Sequence, residues 1–121
     1  MTIKELCKEI HKNAISKGFW ETFNMAEKLM LIVSGISEAM EADRKNKRMR
    51  SDIKNCQCFE KGAYFKRWFL EDVKDTFEDE LADTCIRIFD LAQKMDIDLE
   101  QHIIAKMRYN STRDFKHGKK Y

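Results

Sequence analysis

The chain has 121 residues, 43% of them hydrophobic and 36% charged, with a net charge of +2. That length suits one domain with its own core, and the balance is too even to indicate a nucleic-acid binder. There is no proline and there are only four glycines, so long helices can run unbroken and an all-α fold is expected. With no signal-peptide pattern and no long apolar run, the expected setting is cytoplasmic, away from the membrane.

The first predicted helix runs from Thr2 to Ser16, with Ile3, Leu6, Cys7, Ile10 and Ala14 on one face and Thr2/Glu5 spaced as a capping box. Lys17-Gly18 ends it, and Phe19, Trp20 and Phe23 form an aromatic connection. Asn24, with Glu27 three residues on, opens a second helix that reaches about Lys45. Its expected core face is Met25, Leu29, Ile32, Val33, Ile36 and Met40. Residues 46–70 read as a variable insert. They begin in a run with six bases over 44–54 and continue into the aromatic stretch Cys56–Phe69, where a short helix near 60–69 is expected. A third helix is expected over about Leu70 to Met95, with Val73, Phe77, Leu81, Cys85, Ile88, Ala92 and Met95 inward. Asp98/Gln101 opens a fourth with Leu99, Ile103 and Met107 inward, and residues 111–121 form a basic tail. Four such helices read as a bundle in a single domain over 1–121. The pair Cys56-Gln-Cys58 is too close, and too isolated, for a structural zinc site.

Acids spaced i,i+3 are neighbours on a helix, and the chain has two such pairs, Glu38/Glu41 and Glu80/Asp83. Carboxylates crowded between two packed helices repel unless a cation joins them, and oxygen donors suit Mg²⁺ or Mn²⁺. At 100° per residue, Glu80, Asp83, Thr84 and Arg87 line the edge of one core face, and Leu31, Gly35, Glu38 and Ala42 the edge of the other. Glu41 points away from the core. Glu38, Glu80 and Asp83 are therefore the better ligands, and the plainer alternative is a set of solvated acids, Asp83 paired with Arg87. Lys106 and Asn110 share a face with Leu99 and Ile103 and are expected to turn inward.

Ile10-His11, Gly18-Phe19-Trp20-Glu21, Leu29 through Ala39, Glu80-Leu81-Ala82-Asp83, and Lys106 through Asn110 with Arg113 together resemble the MazG-like all-α nucleoside triphosphate pyrophosphohydrolases. The resemblance covers nearly all of the chain outside 46–70. It implies Mg²⁺-dependent (or Mn²⁺-dependent) hydrolysis of a (deoxy)nucleoside triphosphate to the monophosphate and pyrophosphate, with a role in nucleotide-pool cleaning. It also implies a four-helix bundle completed as a homodimer or homotetramer; outside the resemblance, the aromatic Trp68 and Phe69 are the candidate interface residues. The metal set implied is Glu38, Glu41, Glu80 and Asp83, with Glu38 or Glu41 as general base. His11 and Trp20 would meet the base, and Lys106, Asn110, Arg87, Arg113 and Lys119 the rest of the substrate. Gly35 departs from the pattern, since it stands where the family has its first metal-binding Glu. A glycine within a helix costs about 1 kcal/mol against Ala, so propensity does not account for it. Divergence, an engineered change, or Glu41 serving in its place remain open. The competing reading is a helical module that binds nucleotide or protein without turnover.

Overall fold

A computed structural model describes residues 1–50, 52 and 62–121. The described residues form helices α1 (Ile3–Ser16), α2 (Met25–Arg44), α3 (Ala63–Trp68), α4 (Phe77–Lys94) and α5 (Leu99–Ser111), with a π-helical turn at Phe69–Val73 and a 3₁₀ turn at Phe115–Gly118. They contain no strand, and none of their helices is long and apolar enough to cross a membrane. Cys56, Cys58, Phe59 and Lys54 lie outside the described residues.

The helix starts follow the capping chemistry. Thr2 Oγ1 accepts the Glu5 N–H at 3.1 Å while the Glu5 carboxylate accepts the Thr2 N–H at 2.7 Å, a reciprocal box. Asn24 caps α2 through the Glu27 N–H, and Asp98 caps α5 through the Gln101 N–H.

The chain forms two compact units. Unit 1 comprises 1–22 and 89–121, in which α1 packs against α5. Its buried side is the expected one on α1, where Cys7 is buried and Ile3, Leu6, Ile10 and Ala14 are half-buried. Burial pushes the Cys7 thiol above its ordinary pKa, as befits a small core hydrophobe. On α5, Leu99 and Ile103 are half-buried but Met107 is exposed.

Unit 2 comprises residues 23–88. The expected third helix does not start at Leu70. Lys74 is extended, Asp75 is left-handed at φ 63°, and a new helix begins after Thr76. Thr76 Oγ1 accepts the Asp79 N–H at 3.2 Å and donates to the Val73 carbonyl at 2.7 Å, while the Asp79 carboxylate accepts the Asp75 N–H at 3.0 Å. Local side-chain capping at Thr76-Phe77-Glu78-Asp79 thus overrides the continuous apolar period.

The packing faces of unit 2 also differ from expectation. On α2 the buried residues are Gly35, Ala39 and Ala42, whereas Leu29, Val33, Ile36 and Met40 are exposed. On α4 Thr84 is buried, whereas Leu81, Cys85 and Ile88 are exposed. Small residues win because they let two helix backbones approach closely. A Cβ added at Gly35 would lie 2.6 Å from Thr84 Oγ1, well inside contact distance. The two helices therefore meet where Gly35 abuts Thr84 and where the Leu31 carbonyl accepts from Arg87, beside the more apolar stripes.

Candidate functional site

The close approach at Gly35 and Thr84 sets what happens one turn away. Going up α2 by three residues from Gly35 gives Glu38, and going back along α4 from Thr84 gives Asp83 and Glu80. Each of Glu38, Glu80 and Asp83 offers an oxygen within 4.8 Å of the others. Asp75, Asp79 and Glu80 form a second such group, so Glu80 is common to both.

The electrostatics are those of crowded like charges. Burial raises the Glu80 pKa, and the charge of Glu38 and a hydrogen bond between the two carboxyl groups raise it further. Asp79 is raised in the same direction, first by burial and then by Asp83 and Asp75. Such a set relieves its repulsion by taking up a proton or a cation. Three carboxylates within 4.8 Å are a hard-oxygen donor set that suits Mg²⁺ or Mn²⁺.

Glu41 is not brought to this group. It is half-exposed and paired with Lys45 at 3.4 Å and Arg44 at 3.8 Å on its own helix. Its angular position on α2, away from the packed stripe, is the cause. Glu41, expected as ligand and as base, thus lies outside both acid groups among the described residues. Arg87, expected at the substrate, is held by internal partners. Its guanidinium meets Asp83 at 2.9 Å and donates to the backbone carbonyl of Leu31 across the helix pair. It fixes the Asp83 carboxylate beside Glu80 and ties α4 to α2.

The remaining expected substrate residues belong to unit 1. His11 Nδ1 lies 2.6 Å from Asp90 Oδ1, and Trp20 Nε1 donates to both Asp90 oxygens at 2.9 and 3.0 Å. A carboxylate only accepts, so Nδ1 carries the His11 proton. The two rings meet edge to face at 5.3 Å, and Lys94 sits 5.5 Å from the centroid of the Trp20 ring. Asp90 was not singled out from the sequence, since a lone acid among charged helix residues has no distinguishing spacing. Lys106 is exposed rather than inward, lying 5.0 Å from the Tyr109 ring. Asn110 does turn inward, and its Oδ1 is buried without a hydrogen-bond partner among the described residues. Arg113 is half-buried and reaches the His117 carbonyl, and Lys119 is exposed.

Asp75, Asp79, Phe65, Phe69, Lys66 and Lys74 also surround the acid group, and the sequence reading did not assign them to a substrate or metal site. For the acids a signal was available. Seven acids fall within 71–83, and Thr76-x-x-Asp79 is a capping pattern that marks the true start of α4.

No family model, curated protein or solved structure matches the chain.

Proposed function

We propose that the protein is a divalent-cation-dependent hydrolase that splits a (deoxy)nucleoside triphosphate between its α and β phosphates. The observation that carries this reading is the convergence of Glu38, Glu80 and Asp83 from two helices that meet at a glycine. The sequence resemblance to the MazG-like enzymes supplies the reaction.

Glu38, Glu80 and Asp83 would hold the cation. When bound, it polarises a phosphate oxygen and lowers the pKa of water. Arg87 keeps the Asp83 carboxylate in place through its 2.9 Å ion pair. Glu38, the most exposed of the three acids, is the general base. It takes a proton from the water whose oxygen attacks the α phosphorus, the bond to the α–β bridging oxygen breaks, and pyrophosphate leaves. In unit 1 the unpartnered Asn110 oxygen is suited to accept an N–H or O–H from a ligand.

Self-association belongs to the same proposal. Leu29, Val33, Ile36 and Met40 on α2, and Leu81 and Ile88 on α4, are large apolar side chains left exposed in the single chain. A second copy would cover them. One observation favours the rival module without turnover: position 35 supplies no carboxylate, leaving three acids in the group where the resemblance implies a fuller set.

Incubation with each nucleoside triphosphate and Mg²⁺, with monophosphate and pyrophosphate as the products sought, tests the enzyme. Nucleotide binding with no turnover for any base would favour the module, and light scattering on the eluted protein reads the oligomer.

A further inference from the structure

Beside the acid group, unit 2 contains a hollow of about 750 Å³, within the size range of small-molecule sites. Its lining is of two chemical kinds. Phe65 and Phe69, one helical turn apart with ring centroids 6.1 Å from each other, form an aromatic wall. Lys66 and Lys74 join Glu38 and Glu80 around the rest.

The backbone accounts for this arrangement. Trp68 is buried and anchors the segment, with its ring 5.9 Å from Phe65 and 6.5 Å from Phe69. Phe65 is exposed and Phe69 half-buried beside it, so both rings keep surface toward the hollow. The Lys74 N–H then reaches back to the Phe69 carbonyl at 2.8 Å, closing a π turn, a local widening that recurs at functional sites. The extended Lys74 and left-handed Asp75 that follow turn the chain sharply into α4. This corner sets Phe69, Lys74 and the acids of α4 around one space.

We infer that this hollow seats the nucleotide, with the base stacked on Phe65 and Phe69 and the phosphates reaching the acid group past Lys66 and Lys74. The inference rests on the reading of Glu38, Glu80 and Asp83 as a cation and triphosphate site, and it adds which residues receive the base. A cation alone would leave the aromatic wall and Lys66 without a role, while Lys74 is already paired with Asp75 at 2.6 Å. A free phosphate would leave the wall without one. A planar base joined to a cation-bound polyphosphate uses all three, and base–aromatic stacking requires only a flat ring.

Titration calorimetry on the full chain tests it, with three probes: Mn²⁺ alone, pyrophosphate with Mn²⁺, and α,β-imido analogues of purine and pyrimidine deoxynucleoside triphosphates with Mn²⁺. Phe65→Leu and Phe69→Leu keep apolar volume and remove the flat ring. Each is expected to weaken the analogues about tenfold and to leave Mn²⁺ and pyrophosphate within about twofold. Lys66→Gln is expected to weaken both analogue and pyrophosphate. Unchanged analogue affinity in both Leu variants, with Mn²⁺ binding lost in Glu80→Gln, would overturn the inference while leaving the metal reading in place. Equal losses for Mn²⁺ and analogue in Phe65→Leu would also overturn it, by giving the ring a structural role. A parent protein that binds neither Mn²⁺ nor analogue would overturn both readings.

Discussion

Thr84 occupies the space that a side chain at position 35 would need: a Cβ on Gly35 would lie 2.6 Å from Thr84 Oγ1 and 3.5 Å from Arg87 Nη1. The Thr84 hydroxyl is not free to swing aside, because it donates to the Glu80 carbonyl at 2.8 Å. The glycine that looked like a lost metal ligand is therefore the contact that lets α2 and α4 approach, and that approach carries Glu38 to Glu80 and Asp83. The family-like substitution Gly35→Glu is expected to part the helices and weaken metal binding rather than supply a fourth ligand.

Gly35→Ala isolates the steric term. Helix propensity alone would make it stabilising by about 1 kcal/mol, but forcing a methyl into a filled contact costs about 1–3 kcal/mol. We expect a net loss in urea unfolding, together with weaker Mn²⁺ binding. With Thr84→Ala present, the nearest remaining atom of residue 84 would be its Cβ at 3.5 Å, an ordinary contact. The same Gly35→Ala change should then be neutral or stabilising. Additive effects in the double-mutant cycle would show that the two positions do not compete for space.

The edge stripes were legible in the sequence, and the core stripes were not. Counting 100° per residue placed Leu31, Gly35, Glu38 and Ala42 opposite Glu80, Asp83, Thr84 and Arg87, and the structure brings Gly35 to Thr84, Glu38 to Glu80 and Arg87 to the Leu31 carbonyl. The same counting assigned Leu29, Val33, Ile36 and Met40 to the core by hydrophobicity, yet they are exposed. Hydrophobicity says that a stripe will be covered, not by what. The contact within one chain goes to Gly35, Ala39 and Ala42, whose small size permits close packing. The break at Lys74–Thr76 was missed for a different reason. An apolar period continued through it, while the capping signal of Thr76 with Asp79 depends on hydrogen bonds that periodicity does not register.

The acid group should bind divalent cations through three residues and not through the fourth acid. Glu38→Gln, Glu80→Gln and Asp83→Asn are each expected to weaken Mn²⁺ by about 10- to 100-fold, at least the scale seen for altered metal surroundings. Glu41→Gln should change it by less than twofold, because Glu41 is paired with Lys45 and Arg44 away from the group. Mn²⁺ titration followed by electron paramagnetic resonance reads the affinity directly. A Glu41→Gln variant as impaired as Glu80→Gln would return Glu41 to the ligand set.

Stability without metal should respond to pH in the direction set by Glu80 and Asp79. Both folded-state pKa values are raised, by burial first and neighbouring carboxylates second. A group raised on folding contributes stability that is fully present below its unfolded pKa and is lost as pH rises through the folded value. For these two acids, stability therefore falls as pH climbs from about 4 toward neutrality. Mn²⁺ needs Glu80 ionised, so its stabilising effect should run the opposite way, large at pH 7.5 and small at pH 5. Thermal melts with and without Mn²⁺ at several pH values test this. A Mn²⁺-induced shift independent of pH would mean that the cation binds elsewhere.

Asp90 should matter more to unit 1 than any residue the sequence singled out there. Its carboxylate accepts from His11 Nδ1 at 2.6 Å and from Trp20 Nε1 at 2.9 and 3.0 Å, and only about 15% of its side chain is exposed. Hydrogen bonds to a charged partner contribute about 1.5–3 kcal/mol, and Asp90→Ala would leave two ring N–H groups without their acceptor. We expect a loss of about 3 kcal/mol in urea unfolding and a shift in Trp20 emission as its indole N–H loses its partner. Asp90→Asn keeps one carbonyl oxygen, which can accept from only part of this pair of donors, so its loss should be intermediate. The nitrogen shifts of His11 in a ¹⁵N-labelled sample provide the specific readout. They should show an Nδ1–H tautomer in the parent protein and a mixture in Asp90→Ala. A parent His11 protonated at Nε2 alone would mean that Asp90 does not hold the ring.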